Sequence, residues 1–389
     1  MTTDSDDVLD SLPAVNVNNN CSTGSSAFAF AANAIQSGQA ECALALGFEK
    51  MAAGSLGSAW DDRAQPMEGT MAQLFEIEGD KEYEVDDFGP FAARIFGAAG
   101  QEYCEKYGAN WDHIAQISAK NHKHSVNNPY AQFRIAPSAE QVGKARKITR
   151  EVTLPMCSPT SDGGAAAIVC SEEFIKKHKL EDRAIELAGL GIATDSVRLY
   201  EDKSRIELAG ADMSRRAAQK AYEQAGVTAK DIQVIELHDC FAPNELVTYP
   251  ALGLCAEGEA HKIVERGDNT YGGKWVVNPS GGLESKGHPL GATGIGMIAY
   301  MSLQLRNEAG ALQVKDAKHA LTHNIGLGGS CVVTILKKAP FYKEGSHNKD
   351  RFGYDFASEE RRMTEQELSK VRSKHFSDYL PPAIPESKL

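Results

Sequence analysis

The stretch Asn18-Asn19-Asn20-Cys21-Ser22-Thr23-Gly24-Ser25-Ser26 decides the fold, because it joins two elements of different period around one cysteine. Ahead of it, residues 14–17 (Ala-Val-Asn-Val) read as a short buried strand. Behind it, an alanine-rich run as far as Ser37-Gly38 reads as a helix, and residues 42–46 read as a second apolar strand. The opening of the chain is therefore half of an α/β unit with the cysteine at its turn. An arbitrary free cysteine is more often a small core residue. Small polar neighbours argue otherwise for Cys21, since they leave room for a substrate. A helix N-terminus also stabilises a thiolate through unpaired N–H groups and the macrodipole, which predicts a lowered pKa.

Outward from that unit, residues 47–146 change to Gly-, Met- and Asp-containing loops with amphipathic helices at 91–107 and 112–122, the pattern of an inserted subdomain. Ser158-Pro159-Thr160-Ser161-Asp162-Gly163-Gly164 then leads into a strand at 165–170, with another at 184–190. A second α/β half follows: a helix over 214–225, a strand over 232–237, then His238-Asp239-Cys240-Phe241. Gly287-His288-Pro289-Leu290-Gly291-Ala292-Thr293-Gly294 opens a long apolar helix toward residue 305. His288 thus repeats in the second half the placement of Cys21 in the first, which suggests an internal duplication. The charged region from residue 340 onward, with a helical segment at 364–372, is expected on the surface.

Length and composition agree with a large α/β protein: 389 residues, 42% hydrophobic, 35 glycines. The formal net charge of -12 argues against a nucleic-acid footprint, while a local basic patch for an anionic ligand stays compatible with it. No apolar run reaches the length of a bilayer span, and residues 1–12 are acidic, unlike a secretory or transit peptide. Eight cysteines without CxxC spacing indicate neither a zinc site nor a disulfide scaffold, so free thiols in a reducing compartment are expected. The chain ends on Ser387-Lys388-Leu389 after a Pro-rich stretch at 381–385; this is the tripeptide read by the peroxisomal import receptor, and it predicts a peroxisomal location.

A thiol nucleophile needs a base. Among eleven histidines His288 is the choice, because Gly287 permits close approach of a ligand and Pro289 restricts the backbone. His122, His124, His178, His347 and His375 lie in lysine-rich or loop contexts that suit satisfied surface or core groups. The His238-Asp239-Cys240-Phe241 cluster follows a strand, where side chains face the crevice of an α/β sheet, and its second thiol could exchange protons with a substrate. His323-Asn324-Ile325-Gly326-Leu327-Gly328-Gly329 reads as a glycine-rich turn between strands whose N–H groups could hold an oxyanion.

These four segments, in this order, resemble the thiolase superfamily from Val15 to about Lys338, and the His-Asp-Cys-Phe form resembles the sterol carrier protein x thiolases in particular. Most thiolases carry Asn-Glu-Ala-Phe at the second motif and an acid/base cysteine in a C-terminal Cys-x-Gly. Here Asn324 stands at that position, so the acid/base role falls to Cys240. The resemblance implies a fold of two related α/β halves in five layers, αβαβα, with an inserted loop subdomain. It divides the chain into an N-terminal half (1–46 plus 147–200), an inserted substrate subdomain (47–146), a C-terminal half (201–340) and a tail (341–389).

It also implies thiolytic cleavage of a 3-ketoacyl-coenzyme A, with branched or sterol-side-chain acyl groups in view. Cys21 would be the nucleophile, His288 its activator and Cys240 the proton carrier. One oxyanion site would be formed by the side chains of His238 and His288, the other by the backbone N–H groups of Cys21 and Gly326. Coenzyme A would be a co-substrate, with no bound cofactor and no metal, and the complete fold would pair as a homodimer. Thiolases place a βαβ segment ahead of the nucleophile strand. With Cys21 so early, about eighty residues of the first half are expected to be absent, leaving strand edges and apolar faces open. Two alternatives to an active enzyme follow from that expectation: a catalytically silent isoform acting as a binding or regulatory partner, and a lipid-transfer-associated role.

Overall fold

The computed structural model describes residues 13–51, 62, 67–78, 90–345 and 364–366. The Ser387-Lys388-Leu389 tripeptide, residues 1–12 and most of the charged tail, including all but the first three residues of the 364–372 segment, lie outside the described residues.

The alanine-rich run after Cys21 forms helix α1, Thr23–Gln36, which stops where Gly38 takes a left-handed φ of 74°. Strand β1, Cys42–Glu49, follows it and pairs antiparallel with β2, Gly163–Cys170, in unbroken register from Cys42↔Cys170 to Glu49↔Gly163. Between them the inserted region supplies helices α2 (Glu68–Glu78), α3 (Phe91–Tyr107) and α4 (Trp111–Ser125). The stop of α3 at a left-handed Gly108 and the Asn110 capping box of α4 explain why both were legible as separate helices.

Apart from a short hairpin of Lys147–Thr149 with Val152–Thr153, the remaining described strands are β3 (Ile185–Ala193), β4 (Val234–Glu236), β5 (Val276–Val277), β6 (His319–Gly326) and β7 (Ser330–Lys338). They make one mixed sheet in the order β3-β7-β6-β4-β5, with β4 parallel to β5 and β6, and β7 antiparallel to β6 and β3. Helix α5 (Ala211–Ala225) covers one face of it. Helix α8 (Leu290–Arg306) lies with α1 between this sheet and the β1-β2 pair. Two shorter helices of the second half bear on the site, α6 (Ala242–Ala251) and α7 (Gly282–Lys286). The run α1-β1-β2 therefore repeats α8-β6-β7, a helix followed by an antiparallel pair, as the placement of Cys21 and His288 suggests.

This is a thiolase-like α/β fold, and among the described residues it shows four layers: the β1-β2 pair, α1 with α8, the five-stranded sheet, and α5. The outer face of the β1-β2 pair carries Leu44, Leu46, Phe48 and Ile168, each more than half exposed. Neither edge of that pair bonds to a third strand among the described residues, whereas in the second half β7 and β6 are flanked by β3 and β4.

Two boundaries differ from expectation. Residues 14–17 are not a strand: a strand needs a partner edge, none lies beside them among the described residues, and Val15 is 77% exposed. Strand β3 pairs with β7 in the second sheet, so the boundary drawn at residue 200 falls too late and residues 185–193 belong with the C-terminal half.

The central helices approach more closely than a side chain would permit. A Cβ on Gly294 would stand 2.4 Å from the backbone N of Ser25 and 2.1 Å from its Oγ. Gly294→Ala is expected to force α1 and α8 apart at about 3 kcal/mol. Urea denaturation of the variant against the parent chain measures this; a loss under about 0.5 kcal/mol contradicts the packing described.

Candidate active site

Because α1 and α8 touch at their first turns, the residues just ahead of them converge. The turn at Cys21 is held by Ser22 N donating to Asn19 O at 3.1 Å, Thr23 N to Asn20 O at 3.0 Å, and the Asn20 side chain reaching Leu327 O at 2.5 Å. Asn20 takes a left-handed φ of 49°, which Asn tolerates better than most residues. Gly326 closes the other side: a Cβ there would lie 1.9 Å from Asn19 O and 2.6 Å from Ser22 Oγ, so only glycine lets the end of β6 rest on the Cys21 turn.

Cys21, His238 and His288 are brought together, with one sulfur or ring nitrogen from each lying within 4.8 Å of the others. The two imidazoles meet edge to face at 5.1 Å between centroids, both buried. That donor set could hold a thiophilic divalent cation, and it is equally the set that a thiol and two imidazoles need for proton transfer.

The hydrogen bonds assign each ring its tautomer. The Thr293 hydroxyl donates to Pro289 O at 3.0 Å, so its single proton is committed, and His288 Nδ1 must donate to Thr293 Oγ1 at 2.7 Å. His288 Nε2 is then a bare acceptor; it is buried with no hydrogen-bond partner. The ring is fixed further by its own backbone N donating to Ser161 Oγ at 3.0 Å. His238 has the opposite arrangement. Asn324 Nδ2 donates to His238 Nδ1 at 3.1 Å, while Asn324 Oδ1 accepts from Ser25 Oγ at 2.9 Å, so His238 carries its proton on Nε2. One imidazole is poised to take a proton and its neighbour to give a hydrogen bond.

Burial sets the charge states. It pushes the Cys21 thiol up to about 12, against a lowering by a hydrogen bond at its own backbone, and the charge of Glu49 adds to the rise. The helix N-terminus therefore does not outweigh desolvation here, and the resting sulfur is a thiol rather than the thiolate the sequence suggests. Burial, helped by the nearby Lys286 charge, lowers His288 to about 3. Burial likewise holds His238 well below the ordinary imidazole range and Cys240 well above the ordinary thiol range, with the Cys21 charge the next contribution to Cys240.

His323, whose ring accepts from the His238 backbone N at 3.4 Å and bonds Ser214 Oγ at 2.9 Å, is also lowered by burial to about 3. Its unfolded value is near 6.5, so its contribution to stability is complete above that pH and is lost as pH falls toward 3. His323→Gln removes this dependence. The stability gap between parent and variant is expected to narrow by up to about 1.4 kcal/mol per pH unit in that window, read from urea midpoints; a gap independent of pH contradicts it.

Sequence reasoning missed the acidic cluster beneath the Cys240 turn. The Asn121 side chain donates to Asp239 and Glu245 at 2.9 Å and to Glu284 at 3.1 Å, Leu283 N donates to Asp239 Oδ1 at 2.7 Å, and Lys120 pairs with Glu245 at 2.5 Å. Burial and the Glu245 charge raise Asp239 to about 8, and burial with the Asp239 charge raises Glu284 as well. Lys120 and Asn121 come from α4, Asp239 from the turn ahead of α6, Glu245 from α6 and Glu284 from α7, segments far apart in sequence.

A separate groove of 1630 Å³ runs along β2 and α8 past Ile168, Leu187 and Leu303 to Gly287 and Pro289. Cys21, His238 and Cys240 do not line it, so it is distinct from the site at the helix starts.

Residues 5–151 match the family described as thiolase, N-terminal domain, and residues 196–338 the thiolase C-terminal domain-like family. The chain belongs to the thiolase family. The chain is 53% identical to sterol carrier protein 2 of Rattus norvegicus, over 85% of its own length and 59% of the rat protein. It is 46% identical to non-specific lipid-transfer protein-like 2 of Caenorhabditis elegans, over 85% and 79% of the two chains. The chain thus spans about three-fifths of the length of the mammalian relatives it matches. Among solved structures its fold resembles an Ltp2-ChsH2(DUF35) aldolase, with TM-score 0.66 and 23% identity over 82% of this chain and 78% of that one. It also resembles human mitochondrial 3-ketoacyl-CoA thiolase, with TM-score 0.55 and 19% identity over 84% and 79%. This membership accords with the resemblance to sterol carrier protein x thiolases drawn from the His-Asp-Cys-Phe cluster.

Proposed function

We propose that the chain carries out thiolytic cleavage of a 3-ketoacyl-coenzyme A, using Cys21 as the acyl carrier. The observation that supports this most is the bare, buried Nε2 of His288 beside the Cys21 thiol and the N–H-bearing His238. A neutral thiol and a neutral imidazole make a pair that ionises only as the sulfur attacks. Cys21 gives its proton to His288 Nε2 and bonds to the 3-keto carbon, and the oxyanion is held by the backbone N–H groups of Cys21 and Gly326. The carbon–carbon bond breaks, and the thioester oxygen of the leaving enolate is held by His238 Nε2–H and by the newly formed His288 Nε2–H.

Cys240, kept protonated by burial, gives its proton to the enolate carbon, and acetyl- or propanoyl-coenzyme A departs. The Cys240 thiolate then takes the thiol proton of a second coenzyme A, which accepts the acyl group from Cys21, and His288 returns its proton to the Cys21 sulfur. Every proton is accounted for and no metal is required.

The reading extends to the rest of the molecule. Residues 47–146 form the substrate subdomain, the halves are 1–46 with 147–200 and 201–340 apart from the reassigned β3, and residues 341–389 form the tail. Ser387-Lys388-Leu389 directs the chain through the import receptor to the peroxisome for lipid oxidation of branched or sterol-derived acyl groups, where it works as a homodimer. The open apolar face of the β1-β2 pair favours a second reading, in which this chain serves as a silent or regulatory binding partner.

Purified chain mixed with a 3-ketoacyl-coenzyme A and free coenzyme A is expected to consume the ketoacyl absorbance. A soluble, folded chain with no turnover supports the second reading instead. Cys240→Ala is expected to spare acyl transfer from a simple acyl thioester to Cys21 while slowing carbon–carbon cleavage by about a hundredfold or more. Equal loss of both half-reactions contradicts the division of labour between the two thiols.

A further inference from the structure

The first half of the molecule holds a pair of thiols that acyl transfer does not use. Cys42 opens β1 and Cys170 ends β2; they stand directly opposite one another in the ladder, with the Cys170 thiol donating to the Cys42 sulfur at 3.6 Å. Opposed residues in an antiparallel pair have Cα atoms about 4.5–5.5 Å apart, inside the range a disulfide tolerates, about 4.4–6.8 Å. The sulfurs need only close the last gap, without movement of the strands. Both sit on the face of the β1-β2 pair that bears Leu44 and Ile168, and Cys42 is exposed. The pair lies seven residues along β1 from Glu49, whose carboxylate accepts from Gly291 N at 2.9 Å at the start of α8. That places it about 23 Å from the catalytic end of the strand.

We propose that Cys42 and Cys170 form a reversible oxidative modification site, closing to a disulfide in the presence of a hydroperoxide. Cys42 is the exposed sulfur of the pair and Cys170 the partly covered one, so Cys42 meets the peroxide and attacks first. Burial and the hydrogen bond to Cys42 push Cys170 up to about 12, which suits a resolving thiol rather than an attacking one. The Cys42 thiolate displaces hydroxide from the peroxide O–O bond and becomes a sulfenic acid, and the hydroxide leaves as water with the Cys42 proton. The Cys170 sulfur then bonds to the Cys42 sulfur, the S–O bond breaks, and the second hydroxide leaves as water with the Cys170 proton. Two thiols lose two electrons and one peroxide gains them.

The bond would close a loop from residue 42 to residue 170, which encloses the entire inserted region. It would tie together a two-stranded sheet that has no third strand at either edge among the described residues. The expected consequence is a rise in thermal midpoint of about 5 °C or more.

The test treats the reduced full chain with stoichiometric hydrogen peroxide, blocks remaining thiols with N-ethylmaleimide, and maps peptides without reduction. A linked peptide joining Cys42 to Cys170, reversed by dithiothreitol and accompanied by the higher midpoint, is expected. In Cys170→Ser, Cys42 should accumulate as a dimedone-trappable sulfenic acid; in Cys42→Ser, Cys170 should stay a thiol. Full alkylation of both cysteines after peroxide, or pairing of Cys42 with other thiols at equal yield, overturns the proposal. The parent chain alone decides the matter if a serine variant fails to fold.

Discussion

Cys21→Ala is expected to lower turnover of a 3-ketoacyl-coenzyme A by on the order of ten-thousand-fold or more, with little change in urea stability. No other group in the cluster can replace the sulfur. Cys240 is fully buried behind it and kept protonated, and the two imidazoles have their Nδ1 positions committed to Thr293 and Asn324. The methyl group of alanine leaves the turn intact, because Asn19, Asn20 and Ser22 hold it through bonds that do not involve the thiol. Steady-state loss of ketoacyl absorbance measures the effect. A variant within tenfold of the parent removes the covalent route.

His288→Ala should be nearly as damaging, and its pH profile separates a missing base from a disturbed fold. With the thiol at about 12, only about one sulfur in ten thousand or fewer is ionised near neutral pH without a base to take the proton. Acylation of Cys21 is therefore expected to fall by on the order of a thousandfold or more. It should then rise about tenfold per pH unit through the alkaline range, as solvent generates the thiolate that His288 no longer can. Added imidazole should restore part of the rate. A variant rate that is flat with pH and insensitive to imidazole assigns His288 a structural role only.

Much of this was readable from the chain, for identifiable reasons. Helix α1 announced itself through alanines closed by Gly38, α3 and α4 through their amphipathic pattern, and α8 through the small residues after His288. Placing Cys21 and His288 at equivalent turns predicts their meeting, and the glycines at 24 and 294 supply the close approach that makes it happen. Strand pairing was less legible. Residues 14–17 have strand-like composition, but strand formation depends on a partner edge that local sequence does not encode. Strand β3 gives no local sign of which sheet it joins.

The protonation state of Cys21 was misread for a related reason. The helix terminus is visible in sequence, whereas the desolvation that outweighs it is a property of the assembled site. The same holds for Asn121 of α4 and the acids it gathers from the turn ahead of α6, from α6 and from α7. Only the fold brings Asp239, Glu245 and Glu284 onto one amide, although each carboxylate is plain in the chain.

The most direct test of the account is to mix the chain with a 3-ketoacyl-coenzyme A in the absence of free coenzyme A, quench in acid, and map the acyl adduct by mass spectrometry. The account predicts one acyl group, carried as a thioester on Cys21 and discharged by added coenzyme A. A folded chain with Cys21 unmodified, or with the acyl group on Cys240 instead, would contradict it.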